Sequence, residues 1–222
     1  MKEFNKNFST YNDNAIVQKQ VAEKLINLMK NYFRKNNYSK VIELGCGTGI
    51  FTRCVLKDMK IEKLILNDYF NTEKYLAELN YGKFIKGDMS KSLNENYDLV
   101  ISSSSFQWIE DLESLIKSIS QRTDKLAFSI YIKGNLKEIQ KHFNVSLNYK
   151  TREEIVLLLE KYFYKIESYE EEKVIKFDQP LDALRHLKRT GVGVGSKTSV
   201  REIRTFSEKC LSYSVGYFLC SK

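Results

Sequence analysis

The sequence predicts an α/β fold: a mostly parallel sheet with helices on both faces. Three observations carry that prediction. Short β-branched runs alternate with stretches of helical spacing, the order that strand-helix-strand units produce. The first run stops at three closely spaced glycines, as a strand does when it turns tightly into a helix. A chain of 222 residues, 42% of them hydrophobic, suffices for one sizeable core.

The elements follow in order. Val17, Val21, Leu25, Leu28 and Met29 recur at near-helical spacing between Ala15 and Phe33, predicting an N-terminal amphipathic helix. "KVIELGCGTG" reads as strand and turn, with a helix from about Phe51 to Met59. "KLILND" is a second strand and "TEKYLAEL" a second helix of the alternating series; "GKFIKGD" and "YDLVISSSS" are strands three and four. A helix over Leu112–Gln121 leads to "KLAFSIYI", strand five. "TREEIVLLLEKYF" opens with Thr151 and, three residues on, Glu154, a capping-box start. "YKIESYEEEKVIKF" is a strand or a hairpin-like extension, Leu181–Thr190 is helical, and "SYSVGYFLCSK" is the last strand.

In such sheets ligands sit beyond the carboxyl ends of the strands. The residues there in "ELGCGTG" are Gly45, Cys46, Gly47 and Gly49, where glycine permits close approach to the main chain. The spacing is GxGxG rather than the GxGxxG of dinucleotide binders, which favours S-adenosylmethionine over a nicotinamide cofactor. Asp68 ends the second strand, where a carboxylate can accept both ribose hydroxyls. Asp88 follows the third, within reach of an adenine amino group, and Met89 beside it can contact the ring. Either acid alone could be an ordinary turn residue. Glu43 ends the first strand near the expected place of the cofactor's ammonium, and could instead orient the loop.

Other classes are disfavoured. Cys46, Cys54, Cys210 and Cys220 form no CxxC pair, so neither a structural zinc site nor any other metal site is expected. The start "MKEFNKNFSTYNDN" lacks a signal peptide's apolar core and no run reaches membrane-spanning length; a cytoplasmic protein with reduced thiols and no membrane partner is the expectation. Lys and Arg exceed Asp and Glu, 36 to 28, so an acidic partner or anionic substrate fits, as does a plain lysine-rich surface. The loop after strand four, "SSSSFQW", lacks the paired prolines of base-directed amino-methyltransferases, and Pro180 has no adjacent cysteine. No nucleic-acid partner is therefore expected. Of Phe106 and Trp108, one is expected to be core; Gln107 between them is harder to explain by packing.

"FSTYNDNAIVQKQVAEKL", "ELGCGTG", "DLVISSSSFQWIEDL", "ALRHLKRTGV" and "YSVGYFLCSK" occur in that order. Together they resemble the malonyl-acyl-carrier-protein O-methyltransferases of biotin synthesis over nearly the whole chain. Two departures stand out: Ser103 replaces a family-typical Asn, leaving backbone contact to the cofactor, and the segment after Val192 is short and rich in glycine. The resemblance implies the Rossmann-like class I methyltransferase fold, a seven-stranded sheet, mostly parallel, with an antiparallel last strand. It implies one domain over residues 1–222, with a helical lid (1–36), a cofactor-binding core (37–177), a substrate-side insertion (178–210) and the last strand (211–222).

The implied reaction moves a methyl group from S-adenosylmethionine to the free carboxylate of malonyl-acyl carrier protein, releasing S-adenosylhomocysteine. Methylation of a small free acid, such as an aconitate-like one, or a basic nucleic-acid-binding module, are the alternatives. A carboxylic acid with a pKa near or below ~4 is ionised at neutral pH, so no general base is needed. The site has to position the reactants and exclude water. By this resemblance Tyr11 and Gln18 fold over the cofactor, with Tyr11 closing against the sulfonium. Phe106, Gln107 and Trp108 face the acceptor, and Arg185, His186 and Arg189 meet its carboxylate or the carrier. Arg185 and Arg189, four residues apart, share a helix face. The glycines of "TGVGVG" are expected to let a lid bend beside the acceptor.

Overall fold

The computed structural model describes residues 8–145, 147–191 and 198–222, and the side chains from Tyr11 onward. Of the glycines expected to let the lid bend, Gly191 holds a φ of +76°, while Gly193 and Gly195 lie outside the described residues. The chain opens with α1 (Phe8–Asn14) and α2 (Ile16–Phe33). The core then runs β1 (Asn37–Leu44), α3 (Ile50–Asp58), β2 (Lys60–Asp68), β3 (Lys83–Lys86), β4 (Leu99–Ser103), α4 (Leu112–Ser120) and β5 (Lys125–Tyr131). It closes with α5 (Lys137–Phe143), α6 (Arg152–Leu159), β6 (Lys165–Lys176), α7 (Pro180–Arg189), α8 (Val200–Thr205) and β7 (Cys210–Ser221).

These strands form one seven-stranded sheet in the order β3-β2-β1-β4-β5-β7-β6. β1 pairs in parallel with β2 and β4, and β4 with β5; β7 runs antiparallel to both β5 and β6. The Rossmann-like expectation of a mostly parallel sheet with an antiparallel last strand is met. Period-two alternation sends Val41 to one face of β1 and Ile42 and Leu44 to the other. One face is covered by α2 and α3 through Val21, Leu25, Met29, Phe51 and Val55; the other by α4 and α6 through Leu115, Ile119, Ile155 and Leu159. Central strands are nearly continuous buried runs, as sheets covered on both faces require.

The capping box of α6 forms as expected: the Glu154 backbone donates to Thr151 Oγ1 and Thr151 N donates to Glu154 Oε2 at 2.7 Å. "YKIESYEEEKVIKF" is one continuous strand rather than a hairpin, paired with β7 along its length. One expectation fails. "TEKYLAEL" is not a helix but a 3₁₀ turn over Glu73–Tyr75. Its backbone bonds span three residues, from Tyr75 N to Thr72 O, Leu76 N to Glu73 O and Leu79 N to Leu76 O. That tighter winding brings residues three apart over one another. Leu76 and Leu79 can then both pack on Gly49, where an added Cβ would meet their methyls at 2.8 and 2.9 Å. Packing on the glycine turn outweighs helical propensity here.

Two further helices carry no strong periodic signal. α5 is held by Glu138, whose buried carboxylate accepts from Ser212 N (3.0 Å) and Ser212 Oγ (2.5 Å). α8 has its own capping box between Ser199 and Glu202. Since β7 is antiparallel, its first residues lie at the carboxyl end of β5, where Tyr131 pairs with Val215. α5 thereby gathers at the same end of the sheet as the turn that follows β1.

Candidate active site

A cavity of about 430 Å³ opens at the carboxyl ends of β1, β2, β4 and β5, on both sides of the point where the strand order reverses. Its floor is the glycine turn. Gly45 N and Cys46 N both donate to Asn67 O, at 2.8 and 2.9 Å, which folds the turn back against β2. Gly45 and Gly47 hold φ of +74° and +54°, a region unfavourable for a side chain. A Cβ on Gly45 would lie 2.5 Å from Ser105 Cβ, whereas one on Gly47 would meet nothing within 4 Å. Gly45 is thus required by packing and Gly47 leaves open space. Gly49, at the start of α3, serves packing against Leu76 and Leu79 and does not border the cavity.

Asp68 closes the turn from the other side. Its Oδ2 accepts from Gly47 N at 2.8 Å and its Oδ1 from Phe70 N at 2.9 Å. Burial raises its pKa from the ordinary carboxylate value, and these two amides oppose the rise. Each oxygen retains a lone pair for a ligand. Asn67, buried in β2, spreads its Nδ2 over Ile85 O, Gly87 O and Ser92 Oγ, all within 3.0 Å, and so fixes the loop bearing Asp88. Asp88 Oδ1 accepts from Ser90 N at 2.9 Å; Asp88 and Met89 both border the cavity.

Glu43 points to the α3 side of the sheet, where Thr52 Oγ1 donates to its Oε2 at 2.7 Å. It is 1% exposed and borders the cavity. Burial pushes its carboxyl up to about 7; the Thr52 bond opposes that shift and the Asp68 charge adds to it.

The opposite wall comes from the serine run at the end of β4. Ser102 and Ser105 place their hydroxyls 2.6 Å apart and both reach Leu44 O, tying β4 to the end of β1. Ser103 Oγ pairs with Ser129 Oγ at 3.0 Å, and Ser104 turns the chain with φ of +54°. Gln107 Nε2 donates to Ser104 O at 2.6 Å. Gln107 and Trp108 border the cavity; Phe106 instead packs on Phe128 in the core, 4.9 Å between ring centres. Tyr131, at the end of β5, completes this wall.

The N-terminal helices form the roof. Thr48 Oγ1 donates to Asn12 Oδ1 at 2.5 Å, pinning α1 to the glycine turn, and α1 also lies against α7. Tyr11 and Gln18 border the cavity. Burial raises the Tyr11 phenol's pKa, with Tyr131 and Asp68 both near enough to add to it; Tyr11 thus stands between the two walls.

Of the expected cofactor residues, Tyr11, Gln18, Glu43, Gly45, Cys46, Gly47, Asp68, Asp88, Met89 and Ser103 come together around this one cavity. The cations of α7 do not. Arg185 is exposed and pairs with Asp182 at 3.0 Å; Arg189 is exposed; His186 is buried against Phe177 and Tyr213. Burial and the nearby Arg189 charge lower the His186 pKa. Only Thr190, just past α7, reaches the cavity from this helix. Tyr131, Ser104 and Thr190 are cavity residues that the sequence did not single out. The position of Tyr131 at the end of "KLAFSIYI" was the available signal. Among the described residues no group of three His, Cys, Asp or Glu side chains could hold a metal ion, and no helix is long and apolar enough to cross a membrane.

Residues 42–125 match a family model described as a methyltransferase domain. The chain is 33% identical over 238 residues to the malonyl-acyl-carrier-protein O-methyltransferase of Calditerrivibrio nitroreducens, covering 99% of this chain and 94% of that protein. It is 34% identical to the enzyme of the same name from Bacteroides thetaiotaomicron, covering 95% and 85%. Among solved structures, the YcgJ protein of Bacillus subtilis superposes with a TM-score of 0.67 at 11% identity, covering 90% of this chain and 98% of that one. Magnesium protoporphyrin IX methyltransferase from Synechocystis, solved with bound S-adenosylmethionine, gives 0.57 at 12%, covering 92% and 79%. These two likenesses concern the fold.

Proposed function

Because the chain belongs to the malonyl-acyl-carrier-protein O-methyltransferase family, we propose that it esterifies the free carboxylate of a malonyl group carried on acyl carrier protein, with S-adenosylmethionine as methyl donor. The observation that carries this reading is the single cavity joining the Asp68 and Asp88 wall to the hydroxyl-rich ends of β4 and β5. Two ligands must meet in such a reaction, and the cavity offers each a chemically distinct wall.

The residues fit the donor. The open face of Gly47 admits a ligand against the main chain, Asp68 keeps lone pairs for ribose hydroxyls, and Gln18 Oε1 is buried with no partner among the described residues. Asp88 and Met89 would flank the adenine, and Glu43 would face the ammonium, whose charge favours the ionised carboxylate. When bound, S-adenosylmethionine supplies an electrophilic methyl group on a sulfonium.

This chain's residues supply alignment and dryness. The acceptor carboxylate is already anionic at neutral pH, so its oxygen forms the new bond to carbon without giving up a proton, while the carbon–sulfur pair departs with sulfur. Tyr11 and the roof formed by α1 and α2, within the expected lid of residues 1–36, would exclude water, and alignment can contribute up to roughly 7–11 kcal/mol. Arg185 and Arg189, on the outer surface in residues 178–210, would meet the acidic carrier rather than the reacting carboxylate. The whole chain acts as one methyltransferase domain around the 37–177 core, and its four unpaired cysteines suit the reducing cytoplasm. The resulting ester hides a charge, so chain-elongating enzymes on the way to biotin could treat it as an ordinary acyl group.

The test is incubation with methyl-labelled S-adenosylmethionine and malonyl-carrier protein, followed by a search for a base-labile methyl ester. An ester on the carrier supports the reading. Methylation of free dicarboxylic acids alone would refute the carrier as substrate.

A further inference from the structure

The wall formed by β4 and β5 contains buried polar atoms that its own packing leaves unanswered. Tyr131 is 8% exposed and borders the cavity, and its hydroxyl has no hydrogen-bond partner among the described residues. The Ser104 side chain lies close by, yet its hydroxyl also lacks a partner of normal geometry. By contrast the neighbouring serines are satisfied: Ser103 by Ser129, and Ser102 and Ser105 by Leu44 O. Buried donors left without acceptors are rare, because each carries a desolvation penalty that an acceptor atom would relieve.

Their position matters as much as their chemistry. With strands about 4.8 Å apart, the end of β5 lies three strands, about 14 Å, from the end of β2. Tyr131 is therefore remote from the ribose-binding Asp68, on the far side of the strand-order reversal. Ser104 is held toward it by an unusual turn: its φ of +54° is one that serine adopts at a cost, and Gln107 clamps its carbonyl.

Resting on the methyltransferase reading above, we propose that the hydroxyls of Tyr131 and Ser104 donate to an oxygen of the acceptor carboxylate and so determine that the acceptor is a charged acid. Neutral donors suit this reaction better than a guanidinium. The carboxylate begins with a full negative charge and loses it as the bond to methyl forms. A cation beside it would favour the starting carboxylate more than the transition state, and only interactions that strengthen in the transition state speed the chemical step. Hydroxyls can hold and aim the oxygen while penalising charge loss less. The outward placement of Arg185 and Arg189 agrees with this division.

The experiment compares wild type with Tyr131→Phe and Ser104→Gly, the second chosen because glycine tolerates the backbone angle that Ser104 holds. Tyr213→Phe is the control, since the Tyr213 hydroxyl is likewise buried and unpartnered but does not border the cavity. Binding of malonyl-carrier and acetyl-carrier is measured with S-adenosylhomocysteine present, alongside kcat/KM for ester formation and cofactor affinity. Wild type should prefer malonyl- over acetyl-carrier by at least about tenfold, because a site built for hydrogen bonding rejects a partner that lacks the group. Each of the two variants should narrow that preference and lower kcat/KM by about 10- to 100-fold, with cofactor affinity unchanged. The assignment is overturned if both variants stay within about threefold of wild type, if cofactor affinity falls in parallel, or if Tyr213→Phe narrows the preference equally. A wild-type protein that forms no ester would instead contradict the methyltransferase reading itself, which separates the two failures.

Discussion

The two walls of the cavity differ in how their cavity-facing groups are held. On the β2 side the glycine turn and the carboxylate that borders the cavity are tied down: Asp68 accepts from two backbone amides, Asn67 Nδ2 spans three acceptors, and the turn is folded onto Asn67 O. The buried atoms there without a partner among the described residues, Asn67 Oδ1 and Thr72 Oγ1, belong to residues that do not border the cavity. On the β4 and β5 side Tyr131, Ser104 and Gln107 Oε1 bury polar atoms with no partner among the described residues. The first wall suits a ligand common to many enzymes, held by backbone geometry that tolerates little change. The second keeps some of its polar atoms uncommitted, which suits the acceptor wall proposed above.

The largest effects should come from breaking the pre-formed wall. Gly45→Ala would push a Cβ to 2.5 Å from Ser105 and force alanine into φ of +74°. The strain and clash together should cost about 2–4 kcal/mol of stability and abolish methyl transfer. Gly47→Ala sharpens the contrast, because its Cβ meets no protein atom. That variant should unfold within about 1–2 kcal/mol of wild type, yet bind S-adenosylmethionine at least tenfold more weakly. Urea unfolding together with calorimetric titration separates the two; equal behaviour would show that Gly47 does not face the cofactor. Asp68→Asn comes next, with about a 10- to 100-fold loss of cofactor affinity, the worth of hydrogen bonds to a charged group.

The same contrast explains what could be read from the sequence. The β2 wall announces itself because GxGxG and the acids after strands two and three are fixed by backbone geometry, which leaves few residue choices. The hydroxyl wall does not. Tyr131 ends an ordinary apolar strand, and whether its phenol is satisfied depends on β4 and the roof, which are distant in sequence. "LRHLKRTGV" pointed to substrate recognition, but the rotation of α7 about its axis decides which side chains face inward: Ala183, His186 and Leu187 are buried while Arg185 and Arg189 are exposed. "TEKYLAEL" has helix-forming composition throughout. It winds as 3₁₀ because two leucines share the space above Gly49, a contact no local pattern encodes.

Glu43 offers a smaller test, in which the sign is decisive. Burial holds its carboxyl up to about 7, above the ~4.3 of an unfolded glutamate. The folded protein therefore binds more protons than the unfolded chain between roughly pH 4.5 and 7, so Glu43 makes stability fall as pH rises through that window. The loss should reach up to about 3 kcal/mol. Asp68 is shifted in the same direction, so the quantity to measure is the difference between wild type and Glu43→Gln, which removes the Glu43 slope together with its coupling to Asp68. Cofactor affinity should run the other way. A bound ammonium favours the ionised carboxylate, and binding should strengthen several-fold from pH 6 to 7.5 in wild type and stay flat in the variant. A flat wild-type profile would place the ammonium elsewhere.

The smallest effect should lie outside the cavity, on α7. Arg189 is exposed and has no ion-pair partner among the described residues, whereas Arg185 already pairs with Asp182. A rim charge mainly alters encounter rate and salt dependence, so Arg189→Glu should lower kcat/KM for malonyl-carrier about three- to tenfold at low salt. Raising the ionic strength should close most of that gap, because screening acts on exposed charges over about 10 Å at 0.1 M. Malonyl-coenzyme A, which lacks the acidic protein surface, should lose less than the carrier substrate. If the two substrates suffer equally and the loss ignores salt, Arg189 acts on the acyl arm instead, and the division between an outer surface for the carrier and an inner wall for its carboxylate would have to be redrawn.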